Sequence, residues 1–450
     1  MPNYEKLYKT GSVWRSLLSM AIPALITVLV MIFYNMADMF FIGRLGDTSM
    51  VAAVSVVSPV FSLIMGFATM IGIGGSTIIA NELGAGNREK ARSASSVCFW
   101  AAFLIGLALI TVLLMIRQPL LSFLGTTRDM RGYASTYLTI LSLGTPFLLI
   151  STTMANIVRS EGAIRDALFG NIAGTLTNII LDPLFILVFG WGVAGAAAAT
   201  VIGNAAATFL YLLYMKRKAA VLTVSPAAAM ESPAMLFPIL ALGIPNAVST
   251  ILSGFASTFS NRLLSEYGTA AIAAMAAAGK AGMIIAMVMM GICMGVQPLI
   301  AYNYGARDHA RMREILQKLT LLTLGIGTVS AVLCFALRRA LIGMFLRQSE
   351  AAALGEVFVP FLVLGAPFMG FYYISTNFLQ AAKNAPMATV TSVLRQGIML
   401  IPLLYALHHF FGLTGIAAAH TAADIGAALL SLLIALVQYR KETAGITALP

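Results

Sequence analysis

The sequence predicts an all-α integral membrane protein with twelve transmembrane helices, in two pseudo-symmetric six-helix lobes around a central cleft. Three observations predict this fold. The first is composition: of the 450 residues, 59% are hydrophobic and 10% are charged, whereas soluble domains carry about a quarter charged residues. The second is a series of long apolar runs. The third is a repeat, because the second half of the chain resembles the first.

Each apolar run is about 20 residues or longer, which is the length that crosses ~30 Å of hydrocarbon as a helix. Alternation with the period of a strand does not occur, which favours helices. The predicted spans lie near residues 15–41, 52–80, 95–117, 133–158, 165–188, 192–215, 235–262, 270–301, 316–337, 355–380, 388–409 and 413–438.

The net charge of +11 reflects membrane topology. Counted against twelve helices, 19 of the 28 Lys and Arg residues fall on one side, Arg395 among them. Basic residues accumulate on the cytoplasmic side of membrane proteins, so both termini are predicted to lie in the cytoplasm and the protein in the plasma membrane. Because topology explains the basic excess, a nucleic-acid partner is excluded. The expected partners are the lipid bilayer and small molecules.

The repeat has an offset of about 221 residues. "GTPF" at 144 matches "GAPF" at 365, and "GVAGAAAATVIGN" at 192 matches "GLTGIAAAHTAAD" at 412. Six helices per copy is an even number, so both copies enter the membrane from the same side, as in transporters built from parallel repeats. The predicted organisation is an N-terminal lobe at 1–215, a cytoplasmic linker at 216–234 and a C-terminal lobe at 235–450.

Polar oxygens are predicted to meet inside the N-terminal lobe. Asp38 and Asp182 lie within apolar spans, where an unpaired carboxylate is costly and indicates function. Asn178 precedes Asp182 by four residues and shares its helix face. Helix rise brings Thr200 of the sixth span to a similar depth, in the outer third of the membrane. These oxygens form a candidate site for a proton or for a metal ion, Na⁺. The alternative is that the two carboxylates cap helix ends or meet water in the outer headgroup region.

Two prolines and a second charged group complete the candidates. Pro23 and Pro245 occupy matching places in the first and seventh spans, where proline permits a kink; they are candidate hinges, or static kinks that improve packing. In the C-terminal lobe, Lys280 and Asp424 lie about 15 Å below the outer surface by helix rise. They are predicted to form a buried pair or to contact substrate, with His420 on the helix face of Asp424.

In their order and spacing these features resemble the multidrug and toxic compound extrusion (MATE) transporters. The similarity rests on the aspartate late in helix one, the "NIILDP" stretch of helix five, the threonine of helix six, the prolines of "AIP" and "GIP", and "ELGAGNREKAR" after helix two. It spans the whole chain. The nearer match is the bacterial branch with carboxylates in the N-terminal lobe, and the resemblance assigns ion binding to Asp38, Asn178, Asp182 and Thr200.

The resemblance implies secondary active multidrug efflux by H⁺ or Na⁺ antiport, with alternating access between the lobes. The expected substrates are small, amphipathic and cationic, and the expected state is a monomer. No cofactor is expected besides the coupling ion. The sequence has no G-x-x-x-x-G-K-[ST] phosphate loop, because alanine follows the lysine in "AAAGKAG", so ATP-driven pumping is unsupported.

Two other functions stay open at this point. A flippase of lipid-linked precursors in the same wider superfamily would share the helices but should have a more cationic cavity, for which Lys280 and Arg395 are thin support. A membrane-embedded enzyme would need clustered His, Glu or paired Asp near one interface. His408 and His409 offer such a cluster but are interpreted as a loop end, so the protein is expected not to be an enzyme.

Overall fold

The computed structural model describes the backbone of residues 3–9, 11–43, 48–346 and 349–447, and within these it describes side chains except at 3, 4, 6, 32–40, 42, 43, 48, 345, 349 and 443–447. Every regular element within the described residues is a helix. The first half contains α1 (Asn3–Tyr8), α2 (Val13–Gly43), α3 (Thr48–Gly84), α4 (Arg88–Met115), α5 (Arg117–Phe123), α6 (Arg128–Leu143), α7 (Thr145–Ser160), α8 (Ile164–Pro183), a π-helical turn (Leu184–Val188) and α9 (Gly192–Arg217).

A short α10 (Pro226–Glu231) and a 3₁₀ turn (Pro233–Met235) connect this half to the next. The second half contains α11 (Leu236–Ser265), α12 (Thr269–Gly305), α13 (His309–Ala336), α14 (Arg338–Phe345), α15 (Ser349–Val363), α16 (Ala366–Ala381), α17 (Ala385–Val393), a π-helical segment (Leu394–Met399) and α18 (Leu400–Thr447).

The helices account for the predicted transmembrane spans. Within the described residues, nine helices are long and apolar enough to cross a membrane, and two bent pairs raise the number to eleven. The last of the nine, Ala385–Glu442, contains two predicted spans. They are separated at Gly412, whose φ of 58° and ψ of −134° interrupt the helix. This backbone conformation favours glycine because it has no Cβ. The twelve predicted spans are therefore all present, and the all-α membrane fold is confirmed.

The bent pairs have the same cause in both halves. α6 and α7 meet at 54°, and α15 and α16 meet at 43°. Pro146 and Pro367 lie in the first turn of α7 and α16, directly after the breaks at Gly144 and Gly365. Proline has no N–H to donate to the preceding turn, so a new helix starts there. The repeated "GTPF" and "GAPF" sequences thus encode the same bend twice.

The chain divides into two compact units. The N-terminal unit comprises Met1–Gly11 and Ile22–Gly243, and the C-terminal unit comprises Ser12–Ala21 and Ile244–Pro450. The division falls inside α2 and inside α11, one or two residues before Pro23 and Pro245. The lobe and linker boundaries that the sequence suggests at 215, 216–234 and 235 stay a prediction.

Each unit has its own apolar core. In the C-terminal unit, a cluster of buried side chains joins α12, α15, α16 and α18, with Met289, Phe358 and Leu404 fully buried. In the N-terminal unit, α8 and α9 approach closely at Gly174 and Gly203, because a Cβ added to Gly174 would lie 2.8 Å from the Gly203 carbonyl oxygen. Glycine pairs permit such close helix contacts within membranes. This contact positions the side chains of the candidate site.

Candidate ion and substrate site

Three of the predicted polar residues meet between α8 and α9. Asn178, Asp182 and Thr200 are all buried, and Asp182 has no exposed surface. The side-chain nitrogen Nδ2 of Asn178 donates to Oδ1 of Asp182 at 3.4 Å and to Oγ1 of Thr200 at 3.5 Å. Both hydrogen bonds are long. The amide therefore lies between a carboxylate and a hydroxyl without holding either tightly.

The backbone supports this arrangement locally. Asn178 and Asp182 are four residues apart on α8 and lie on one face, as the sequence indicates. Pro183 follows Asp182 and ends the regular helix, and a π-helical turn continues from Leu184 to Val188. Such turns are frequent at functional sites. On the other helix, the close approach at Gly203 brings Asn178 against α9, where an added Cβ would lie 3.0 Å from the Asn178 Cβ.

The chemistry of the cluster suits a small cation. Oδ1 of Asn178 is enclosed and has no hydrogen-bond partner among the described residues. Together with the Asp182 carboxylate and the Thr200 hydroxyl, it presents neutral and anionic oxygens, which are the ligands that hard cations prefer. A buried carboxylate is costly when its charge is uncompensated, and a proton or a cation would compensate it. Asp38, the fourth predicted residue, lies outside the residues whose side chains are described.

A cavity of about 190 Å³ lies beside the cluster within the N-terminal unit. Asn178 and Thr200 line it, so the cluster forms part of its wall. The remaining lining residues combine amides and hydroxyls with apolar side chains, and they are Thr27, Met31, Phe61, Met65, Ser151, Thr152, Asn171, Gly174, Thr175, Gly203, Asn204, Ala207 and Tyr211. An apolar cavity with a few convergent polar groups is the usual form of a small-molecule site.

The sequence alone missed several of these polar groups. Asn204 accepts a hydrogen bond from the Ser151 hydroxyl at 2.7 Å and donates to the Thr200 carbonyl at 2.8 Å, which connects the cavity wall to the cluster. Asn171 lies two turns before Asn178. The sequence does indicate these residues, because Asn204 follows Thr200 by four residues and Asn171 precedes Asn178 by seven. Each asparagine therefore lies on the same helix face as a predicted site residue.

The predicted pairing in the C-terminal lobe is wrong in its basic partner. Asp424 pairs with Arg395, whose Nε donates to Oδ1 at 2.7 Å, whereas Lys280 is exposed and does not pair with Asp424. Helix-rise arithmetic gives the depth of Lys280 but not the direction in which its helix face points. His420 is half-buried and lies one turn before Asp424 on α18. The predicted third member of this cluster is thus nearby.

Comparison with known proteins decides the family. A family model described as MatE matches residues 23–184 and again residues 245–406. The chain belongs to the MatE family. The double match also locates the repeat, because the two stretches begin 222 residues apart and end 222 residues apart. The predicted family is confirmed.

MatE relatives match over nearly the whole chain. The multidrug export protein MepA of Staphylococcus saprophyticus is 31% identical over 432 residues, covering 96% of this chain and 95% of that protein. A MATE crystal structure in complex with MaL6 has a TM-score of 0.92 at 21% identity, covering 98% of this chain and 99% of the other. An outward-facing multidrug resistance MATE family transporter has a TM-score of 0.92 at 20% identity, covering 98% of each chain. The fold is therefore the twelve-helix, two-lobe MATE fold.

Proposed function

We propose that the protein exports small amphipathic, cationic compounds from the cytoplasm, driven by antiport of H⁺ or Na⁺. The proposal rests on one observation, which is that two residues are shared between the ion cluster and the cavity. Asn178 and Thr200 belong both to the Asn178–Asp182–Thr200 cluster and to the wall of the adjacent cavity. A group bound in the cavity and an ion bound at the cluster would therefore both contact Asn178 and Thr200.

This sharing supplies a physical route to exchange. A cation or proton at Asp182 neutralises the buried charge and engages the Asn178 amide or the Thr200 hydroxyl. A cationic substrate in the cavity interacts favourably with the unoccupied, negatively charged cluster and unfavourably with the occupied one. The two ligands then weaken each other's binding by the same factor, as linkage requires. Antiport requires this competition between the ion and the substrate.

The lining of the cavity supports an amphipathic substrate. Phe61, Met31 and Met65 offer polarisable apolar surface, which adapts to different ligand shapes. Asn171 and Asn204 offer both hydrogen-bond donors and acceptors on the same wall. Relatives of the chain are named multidrug export proteins, which favours the same broad substrate class here.

Alternating access would use the two prolines. Pro23 and Pro245 lie inside α2 and α11, close to the points where the chain changes from one compact unit to the other. A missing hydrogen bond at these points allows each helix to bend without losing a ladder contact. We infer that the protein does this as a monomer in the plasma membrane. Both termini are inferred to lie in the cytoplasm, because most basic residues fall on their side of the membrane.

The experiment is substrate efflux from proteoliposomes under one imposed gradient at a time. The wild-type protein is expected to export a lipophilic cationic dye under either a proton or a sodium gradient and to stop when that gradient is collapsed. Asp182→Asn is expected to abolish driven efflux, and Asp38→Asn is tested in parallel. Asp166→Asn is the matched control, because Asp166 pairs with Lys218 at the exposed end of its helix, where ion pairs contribute little.

Efflux that is independent of both gradients in the wild-type protein would refute antiport. Equal efflux by the wild-type protein and by Asp182→Asn would refute the role of the cluster while leaving export intact.

A further inference from the structure

The C-terminal unit contains a charged cluster that the shared fold does not require. Arg395 lies on the π-helical segment Leu394–Met399 and Asp424 lies on α18. By the 222-residue spacing of the two family matches, Arg395 corresponds to Ala173 of the N-terminal unit. By the repeat between 192–204 and 412–424, Asp424 corresponds to Asn204. The N-terminal unit therefore forms these helices without the ion pair, and the C-terminal unit forms them with it.

The equivalent positions in the N-terminal unit adjoin the cavity. Asn204 lines it, and Ala173 directly precedes the lining residue Gly174. The C-terminal unit therefore carries a carboxylate at a position that lines the cavity in the N-terminal unit, and a guanidinium at a position next to a lining residue. Burying an ion pair rarely stabilises a fold more than apolar packing would. A gain in stability therefore does not explain why charged residues occupy these positions in the C-terminal unit.

The pair is largely buried, but not all of its polar atoms are hydrogen-bonded. Nε of Arg395 donates to Oδ1 of Asp424 at 2.7 Å, and Nη1 donates to the Tyr373 hydroxyl at 3.4 Å. Among the described residues, Nη2 of Arg395 and Oδ2 of Asp424 have no hydrogen-bond partner, and both atoms retain accessible surface. The two side chains are 13% and 12% exposed. The pair therefore leaves one donor on Arg395 and one acceptor of opposite charge on Asp424 without a partner among the described residues.

Aromatic rings fix the guanidinium in this position. Its central carbon lies 5.3 Å from the ring centre of Tyr372 and 5.9 Å from that of Tyr373, within the range of cation–π attraction. The backbone at Gly365, where α15 and α16 break, packs against Asp424, because an added Cβ there would lie 3.1 Å from the Asp424 Cβ. The arginine and the aspartate are thus preorganised before any ligand arrives.

We propose that the Arg395–Asp424 pair is a binding subsite for zwitterionic amphipathic substrates, taking a carboxylate on Nη2 of Arg395 and a cationic group on Oδ2 of Asp424. The pair carries no net charge, so it offers little attraction to a simple cation or a simple anion. A compound with both charges satisfies both open atoms at once. Arginine suits this role because its planar fork donates to two acceptors simultaneously, here Asp424 and the substrate carboxylate.

The proposal rests on the proposed function, since it assigns a substrate class to the same transporter. It also assigns the recognition of different substrates to the two units. A simple cationic substrate needs only the N-terminal cavity beside Asp182, whereas a zwitterionic substrate is recognised through Arg395. The range of exported compounds then depends on two sites of different charge character.

The test is equilibrium binding of a matched dye pair to the purified full-length protein in lipid nanodiscs, measured by fluorescence polarisation. One dye is a rhodamine with a free carboxylate, and the other is its methyl ester, which is a simple cation. The decisive variant is the double substitution Arg395→Gln with Asp424→Asn, which removes both charges together and leaves no unpaired one. The matched control is Arg339→Gln with Glu356→Gln, an exposed pair in the same unit.

The double variant is expected to bind the free-acid dye roughly ten- to a hundredfold more weakly, as loss of a charge-assisted hydrogen bond implies, and to bind the ester within about twofold of the wild-type protein. The control pair should change neither. Equal weakening of both dyes, no change in either, or failure of the wild-type protein to bind the acid dye would each overturn the proposal.

Two further measurements separate folding and coupling from recognition. Arg395→Lys keeps the charge but loses the fork, so it should lose selectivity for the acid dye over the ester even if the double variant does not fold. Binding needs no ion gradient, so failure of gradient-driven efflux would refute the proposed antiport without affecting this test. Conversely, unchanged dye selectivity in a protein that still exports the ester would refute only the present inference.

Discussion

The side-chain nitrogen of Asn178 lies 3.4 Å from a carboxylate oxygen of Asp182, one helical turn further along α8. The same nitrogen lies 3.5 Å from the Thr200 hydroxyl on α9. An amide shared between a buried carboxylate and a hydroxyl can turn from one to the other at little cost, since neither bond is short. In the proposed mechanism, Asn178 is the residue through which ion binding at Asp182 affects the cavity.

The first prediction concerns this amide. Asn178→Ala removes both the shared donor and the enclosed oxygen, so affinity for the coupling ion should fall roughly ten- to a hundredfold. Thr177→Ala is the control, because the Thr177 hydroxyl bonds its own helix at the Ala173 carbonyl. Ion-dependent quenching of tryptophan fluorescence measures the affinity. A variant with unchanged ion affinity would show that the amide does not contribute to the site.

The second prediction concerns the close contact between α8 and α9. Gly203→Ala would place a Cβ 2.7 Å from the Gly174 carbonyl oxygen, which forces the helices apart at a cost of about 1–3 kcal/mol. The melting temperature should fall, and transport should fall with it. Gly66→Ala is the control, since an added Cβ at Gly66 meets nothing within 4 Å. Equal melting temperatures for both variants would contradict the close packing.

The third prediction concerns a buried carboxylate at the end of α7. Glu161 accepts hydrogen bonds from the Tyr214 hydroxyl at 2.6 Å and from the backbone N–H groups of Ala220, Val221 and Leu222. Glu161→Ala leaves these donors without their acceptor, so the segment after α9 should open more readily, by about 1–3 kcal/mol. Hydrogen exchange at the three amides should accelerate correspondingly. Glu89→Ala, at an exposed helix start, should leave their exchange unchanged.

The fourth prediction concerns the proposed hinge. Pro23→Ala restores an N–H inside α2 and favours a continuous helix, so the transport rate should fall by about tenfold while substrate affinity stays within about twofold. Pro59→Ala is the control, because Pro59 also lies inside a helix of the same unit, α3, and is exposed. Rapid-mixing efflux gives the rate and equilibrium binding gives the affinity. An unchanged transport rate would contradict the hinge and indicate that Pro23 is a static kink.

Much of the fold followed from the sequence because membranes impose simple rules. Span length and the repeat predicted twelve helices in two copies. The bends at Gly144 and Gly365 were not predicted, because the "GTPF" and "GAPF" sequences served only as evidence for the repeat. The i,i+4 spacing placed Asn178 beside Asp182, since both lie on one helix. Helix rise brought Thr200 to the same depth because α9 follows α8 after a short connection and packs along it.

What the sequence could not supply was the rotation of each helix about its axis. Depth alone made Lys280 an acceptable partner for Asp424, whereas Arg395 was counted among the basic residues of the cytoplasmic side. A π-helical segment from Leu394 to Met399 carries Arg395 and pairs it with Asp424. Similarly, Ser151 reaches Asn204 from a different helix, a contact that only tertiary packing decides.

The most direct test of the central claim is substrate affinity measured against pH and against sodium concentration, for the wild-type protein and for Asp182→Asn. If an ion at the Asn178–Asp182–Thr200 cluster competes with substrate, wild-type affinity should fall as either the proton or the sodium concentration rises. In Asp182→Asn, that dependence should disappear while binding persists. The same ion dependence in the variant as in the wild-type protein would contradict the claim that this cluster couples the ion to the substrate.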